Sequence, residues 1–124
     1  MPRYMLLLYA TEADEANEAE MAERWGQMPL WDELNQSLRE EGLLVSGSPL
    51  HPVARATTVR VRDGEAELTD GPFAVTKEVL AGYYLLDCAD LDEALKQAAR
   101  VPLARYGSVE VRPLLESPVS ASAP

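Results

Sequence analysis

The sequence predicts an α+β domain in which an antiparallel sheet carries both helices on one face. Three observations lead there. Strand-like alternation and helix-like spacing follow one another in the order strand, helix, strands, helix, strand. An Asp63-Gly64 turn separates two runs that pair by charge and by hydrophobicity in the same register. The first strand and the Gly82 to Cys88 strand are apolar on both sides, as strands buried on both faces are. That order fits a split β-α-β fold of ferredoxin-like type, βαββαβ, with an extra hairpin.

Arg3 to Tyr9 reads as the first strand. Tyr4, Leu6 and Leu8 point one way and Met5, Leu7 and Tyr9 the other, so both faces are expected to be buried. Glu12 to Glu23 holds six acids and no base, the composition of a solvated helix start whose carboxylates meet the positive end of the dipole. Met21, Trp25, Met28, Trp31, Leu34 and Leu38 recur at helical spacing and read as a core stripe. Pro29 removes one backbone donor and is expected to kink or split this helix; Gly42 ends it. "LLVSGSPL" then gives a short strand and a turn.

In the hairpin, Arg62 faces Glu65, Val61 faces Ala66, Arg60 faces Glu67 and Val59 faces Leu68. Its exposed ion pairs, worth ~0.2–1 kcal/mol each, are expected to set register more than stability. "LAGYYLLDC" is the next strand, with Tyr83 and Leu85 against Tyr84 and Leu86. Asp90 caps the helix after it, with Glu93 placed to reach back and Lys96 and Arg100 toward its negative end. Leu91, Ala94, Leu95 and Ala98 form its expected buried stripe. "SVEVRPLL" closes the chain as a strand. Two helices cover one side of such a sheet, and a bare apolar side is an aggregation hazard. A homodimer is therefore expected, burying ~800 Å² per partner.

Composition narrows the function. A length of 124 residues fits one domain, read as 1–116, with the small, polar, Pro-rich 117–124 as a disordered tail. The net charge of -10 argues against nucleic acid, since Lys77 and Lys96 are the only lysines and the arginines are scattered. The opening "MPRYMLLLYA" is too short for a membrane span, and with one cysteine, Cys88, the chain reads as cytoplasmic with no membrane partner. One His and one Cys make no ordinary zinc site. The glycines form neither a P-loop nor a dinucleotide fingerprint, so neither metal nor cofactor is expected.

"TDGPFAVTKEVLAGYYLLD" followed by "DLDEALKQAARVPLARYGSVEVRP", with the early "YMLLLYA" and "EEGLLVSGSPL", resembles the YCII-related proteins that carry the DGPF signature. The resemblance runs over about residues 3–116. It implies a ferredoxin-like domain that pairs into a dimeric α/β barrel. It also implies a fold shared with small-molecule lyases or dehalogenases, and frequent association with sigma factors of the extracytoplasmic-function class. Two positions depart from the pattern. Val75 stands where Glu is common in the signature. The broader group's proposed His and Asp pair falls on Trp31 and Val101, so its acid–base pair is missing.

Asp70-Gly71-Pro72 is a strong turn signal, so Asp70 to Phe73 reads first as a corner between strands. Thr76, Lys77 and Glu78 come next with no structural reason of that kind. With the pocket between the bare sheet face and the 70–78 loop, Lys77 and Arg105 would orient a ligand. Asp70, Glu78 or His51 would move a proton, His51 being the group that titrates nearest neutrality. Phe73, Thr76, Tyr83 and Tyr106 would line the pocket. The substrate class expected is small and anionic, aromatic or lactone-like. The alternatives are an accessory partner of a sigma-factor system, docking through the acidic Glu12 to Glu23 surface, and a non-catalytic ligand sensor.

Overall fold

The structure, a computed structural model, describes residues 2–115; the tail read at 117–124 lies outside the described residues. Six strands and three helices run in the order β1 (Arg3–Ala10), α1 (Glu18–Gly26), α2 (Met28–Glu40), β2 (Leu44–Pro49), β3 (Thr57–Arg62), β4 (Glu65–Asp70), β5 (Val79–Asp87), α3 (Leu91–Ala99) and β6 (Ser108–Pro113). Single 3₁₀ turns span Val53–Arg55 and Pro102–Arg105. The main sheet has the order β2-β5-β1-β6, with every neighbouring pair antiparallel. Each β-α-β unit is thus split by a strand of the other, an arrangement compatible with the ferredoxin-like α+β pattern. β3 and β4 form a separate two-stranded sheet.

The core lies between one face of the sheet and the helices. Tyr4, Leu6 and Leu8 of β1 and Tyr84 and Leu86 of β5 meet Leu34 and Leu38 of α2, Ala94 and Ala98 of α3, and Val101 and Leu103 beyond it. The opposite face of β1 and β5, with Met5, Leu7, Tyr9, Tyr83 and Leu85, is only half-buried. The expectation that both faces are buried therefore holds for one face of the chain's sheet, because the helices pack on that side.

Pro29 does split the first helical run. Gln27 ends α1 and begins α2, and Pro29 sits in the first turn of α2, where its missing N–H removes no helical bond. The split breaks the stripe read as core. Leu34 and Leu38 are buried, but Trp25 is 66% exposed and α1 buries no residue. Gly42, at φ 72°, closes α2 with the two bonds of a Schellman motif: Leu43 N–H donates to the Leu38 carbonyl (3.0 Å) and Gly42 N–H to the Arg39 carbonyl (3.1 Å). Asp90 caps α3 by accepting from Glu93 N–H (2.9 Å), and the Glu93 carboxylate reaches back to Ala89 N–H (2.9 Å). The buried stripe of α3 is Ala94, Gln97 and Ala98; Leu91 and Leu95 are largely exposed, because the small alanines are what let this helix lie close to the sheet.

The hairpin has the register read from the sequence, Arg62 with Glu65 through Val59 with Leu68, around Asp63 and Gly64 at φ 53° and 79°. Its ion pairs do not close among the described residues. Arg62 donates to the Val61 carbonyl, and Arg60 leans toward the Phe73 carbonyl at 3.5 Å. Exposed charges gain too little from pairing to hold two long side chains in one geometry. The turn after β4 is the expected corner: Gly71, at φ 94°, donates its N–H to the Ala56 carbonyl (2.7 Å) and its own carbonyl accepts from the Thr58 hydroxyl (2.8 Å).

Candidate functional site

A cavity of about 390 Å³ opens between α2 and the sheet, on the helix-covered face. Small residues on three strands create it. Ala10 of β1, Gly47 of β2, and Ala81 and Gly82 of β5 make a floor that α2 cannot reach down to fill. The register of β1 against β5 slips between Leu8 and Tyr9, opposite Gly82 and Leu80, which leaves Ala81 as the extra residue of a bulge beside the cavity. The roof is one face of α2. Met28, Trp31, Asp32, Asn35 and Arg39 all line the cavity and keep the i, i+3, i+4, i+7, i+11 spacing of a single helical stripe.

Aromatic groups wall it. Trp31 and Tyr84 stack with ring centroids 6.4 Å apart and planes inclined by 21°. The Tyr84 hydroxyl donates to Asn35 Oδ1 across the sheet–helix gap. Burial pushes the Tyr84 phenol up to about 12, against a smaller opposing pull from the Arg39 cation. Tyr106, after the Pro102–Arg105 turn, is the third ring; burial raises its phenol too, with Arg24 pulling down and Glu23 adding to the rise. Both shifts favour the protonated phenol, the form in which Tyr84 makes its bond to Asn35, and disfavour a role as base.

Two guanidinium groups complete the lining. Arg24, in the last turn of α1, lies 4.7 Å above the centre of the Tyr106 ring, donates to the Thr11 carbonyl (2.9 Å) and pairs with Glu20 (3.3 Å). Arg39 has no ion-pair partner among the described residues. A largely apolar hollow with four aromatic residues, Trp31, Tyr83, Tyr84 and Tyr106, two cations and one carboxylate, Asp32, is suited to holding a flat molecule with an acidic group. A second cavity of about 340 Å³ lies beside the first, bounded by Thr11, Glu12, Glu15, Leu50, His51 and Pro52. Among the described residues no three His, Cys, Asp or Glu side chains gather as a metal site would require. No described helix is long and apolar enough to cross a membrane.

The model of the YCII-related domain matches residues 2–118. The chain belongs to the YCII-related family. An uncharacterised protein of Rhizobium meliloti (strain 1021) is 51% identical to it over 77 residues, 60% of this chain. That match spans 62% of the relative's own length, less than two thirds of it.

Within this YCII-related domain the residues singled out from the sequence do not gather in one place. Tyr83 and Tyr106 line the larger cavity and His51 the smaller one. Asp70 ends β4 exposed, Phe73 is 78% exposed, and Lys77 and Arg105 are exposed as well. The Thr76 hydroxyl donates to the Glu78 carbonyl (2.6 Å), and the Glu78 carboxylate accepts from the Ser108 hydroxyl (3.0 Å), tying the loop to the start of β6. None of these last six borders either cavity. Of the two positions where the broader group's acid–base pair would fall, Trp31 does line the larger cavity, while Val101 is buried in the core. Arg24, Asp32, Asn35 and Arg39 escaped the sequence reading. Their signal was there in the polar residues that share a helical stripe with Trp31.

Proposed function

We propose that this YCII-related protein is a homodimer that binds a small, flat, anionic molecule in the cavity between α2 and the sheet of each protomer. One observation carries the binding half of this reading: Arg24 and Arg39 both line a largely apolar hollow walled by Trp31, Tyr84 and Tyr106. A partly desolvated guanidinium beside aromatic faces favours a carboxylate or enolate attached to a planar body. The dimer half draws on the sheet face away from the helices, where Met5, Leu7, Tyr9, Tyr83 and Leu85 stand only half-buried among the described residues. The reading is of binding before acid–base chemistry. Of the three groups expected to move a proton, Asp70, Glu78 and His51, none borders the larger cavity, and neither does Lys77.

The test is a fluorescence titration in a Trp25→Phe background, which leaves Trp31 as the reporting indole. Benzoate and 1-naphthoate are expected to quench it saturably, with the neutral benzamide at least ~10-fold weaker. Gly47→Ala should weaken that binding, because a Cβ at position 47 would lie 2.8 Å from Tyr84 Cδ1 and displace the wall. Absence of saturable quenching by either anion at ~10 mM overturns the proposal.

A second reading rests on the hairpin, whose apolar face of Val59, Val61 and Leu68 is more than half exposed. In that reading the protein accompanies a sigma-factor system by docking this face on a protein partner. Val61→Glu should then abolish co-purification with that partner; an unchanged complex refutes the reading.

A further inference from the structure

The two cavities share a wall made of Ala10, Arg24 and Ala81, and of these only Arg24 has a side chain long enough to divide them. Its guanidinium is held in place, with the side chain 24% exposed. Both of its polar contacts, to the Thr11 carbonyl and to Glu20, are made through Nη2. The hydrogens on Nε and Nη1 therefore have no protein partner among the described residues, and they stay accessible to whatever enters the hollows. A fixed cation with unused donors between two hollows is arranged to receive an acid group that has substituents on either side.

The two hollows differ in character. On one side of Arg24 lie the rings of Trp31, Tyr84 and Tyr106. On the other side the polar groups are the Thr11 hydroxyl, the carboxylates of Glu12 and Glu15, and the His51 imidazole. One oxygen of Glu12 already accepts from Val53 N–H (2.8 Å), leaving the other free to accept. Such a lining, dominated by acceptors, favours a hydrogen-bond donor such as a hydroxyl or an ammonium.

We infer that Arg24 anchors the carboxylate of a bipartite ligand, an aromatic acid with a hydroxyl or amino group on the carbon beside the carboxylate. The aromatic body fills the larger cavity and the 2-substituent enters the smaller one. This rests on the proposed binding of a flat anion and adds to it the second compartment and the substituent. It also gives His51 and the acids at Glu12 and Glu15 a place at the ligand.

The experiment is calorimetric titration of the full chain with 3-phenylpropanoate, 3-phenyllactate and L-phenylalanine. At least one of the two 2-substituted acids is expected to bind about 10-fold or more tightly than 3-phenylpropanoate, the gain of one good hydrogen bond to a charged acceptor. Arg24→Ala should abolish binding of all three. Arg24→Lys, which keeps the charge and gives a second route if the alanine variant does not fold, should lose about 10-fold or more. Glu15→Gln should remove the preference among the three acids while leaving 3-phenylpropanoate unchanged. Equal affinities in the wild-type chain overturn the two-compartment inference and leave the single-cavity reading standing. If none of the three binds while 1-naphthoate still quenches Trp31, the inference is equally overturned.

Discussion

Gly107→Ala is expected to be among the most damaging single-methyl additions this chain can receive, and its cost can be argued from distances. A Cβ built at position 107 lies 2.2 Å from the Tyr9 carbonyl oxygen, 3.0 Å from Ala10 Cβ and 3.0 Å from Leu103 Cδ2. Relief of the first contact alone needs a shift of ~1 Å, since non-bonded heavy atoms rest near 3.5 Å. The carbonyl cannot supply that shift cheaply. Tyr9 is in β1, paired with Ser108 of β6, and Gly107 N–H is itself committed to the Leu103 carbonyl at 2.7 Å. Overpacking of this kind costs ~1–3 kcal/mol, and a backbone obstacle places Gly107→Ala at the upper end or above. Against a total stability of ~5–15 kcal/mol that is a large share. Urea unfolding followed by circular dichroism, at one fixed protein concentration, should show the midpoint falling by ~1–2 M for an m of ~2 kcal/mol/M. Gly26→Ala is the control. Position 26 has nothing within 4 Å of the new Cβ and lies in the last turn of α1, so the same chemical change should be neutral or stabilise by up to ~1 kcal/mol. If Gly107→Ala unfolds at the wild-type midpoint, the chain does not pass against Tyr9 here. Tyr106, one residue earlier, would then not be positioned under Arg24 at the cavity.

The proposed dimer predicts that the wild-type chain sediments as a dimer and that Leu85→Glu, which places a carboxylate on the half-buried face beside Met5 and Ser46, sediments as a monomer without loss of circular dichroism; a wild-type chain that sediments as a monomer at micromolar concentration refutes the dimer reading. Alkaline pH should unfold the protein through Cys88 and Tyr84. Burial, aided by the Glu93, Asp87 and Asp90 carboxylates, pushes the Cys88 thiol from its ordinary 9.0 up to about 11, and burial pushes the Tyr84 phenol from 10.0 up to about 12. Both folded values are raised, so the contribution is fully present below pH 9 and is lost as pH rises through 11 to 12. Thermal melts of Cys88→Ala should lose part of this slope, and an unchanged profile removes Cys88 from the account.

The register of the hairpin was legible in the sequence, though not the open state of its ion pairs, because charge and hydrophobicity pointed independently to one register and the Asp63-Gly64 turn fixed it locally. The helix split at Pro29, the stop at Gly42 and the cap at Asp90 were legible for the same reason, each being decided within a turn of chain. The cavity was not. Helical periodicity shows which residues of α2 share a face, but not what lies opposite, and the opposite wall here is Ala10, Gly47, Ala81 and Gly82, brought together from three strands by pairing that no local signal encodes. Met28 was therefore read as core when it faces a hollow, and Trp31, which does pack against the core, also lines that hollow. The DGPF stretch misled in the other direction. Its dense chemistry is partly the construction of a corner, with Gly71 bonded to both Ala56 and Thr58, and the loop beyond that corner projects outward, Val75 being 97% exposed.

One feature of strands β1 and β5 accounts for both the cavity and the bare face. Along the helix side of β1 the side chains run from Tyr4 through Leu6 and Leu8 down to Ala10, and the paired positions on β5, Leu86, Tyr84 and Gly82, end in a residue with no side chain. The layer between sheet and helices is therefore filled at one end and empties toward the other, where α2 begins after the break at Gln27 and where Arg24 and Tyr106 close the mouth. The alternate residues show no such taper: Met5, Leu7 and Tyr9 stay large and apolar to the end of the strand. A chain selected only to pack its own helices would have no reason to shrink one face of two central strands while keeping the other bulky. The asymmetry is economical if one face must hold a small molecule and the other must hold a second copy of the chain, since a period of two residues lets the same strands serve both needs independently.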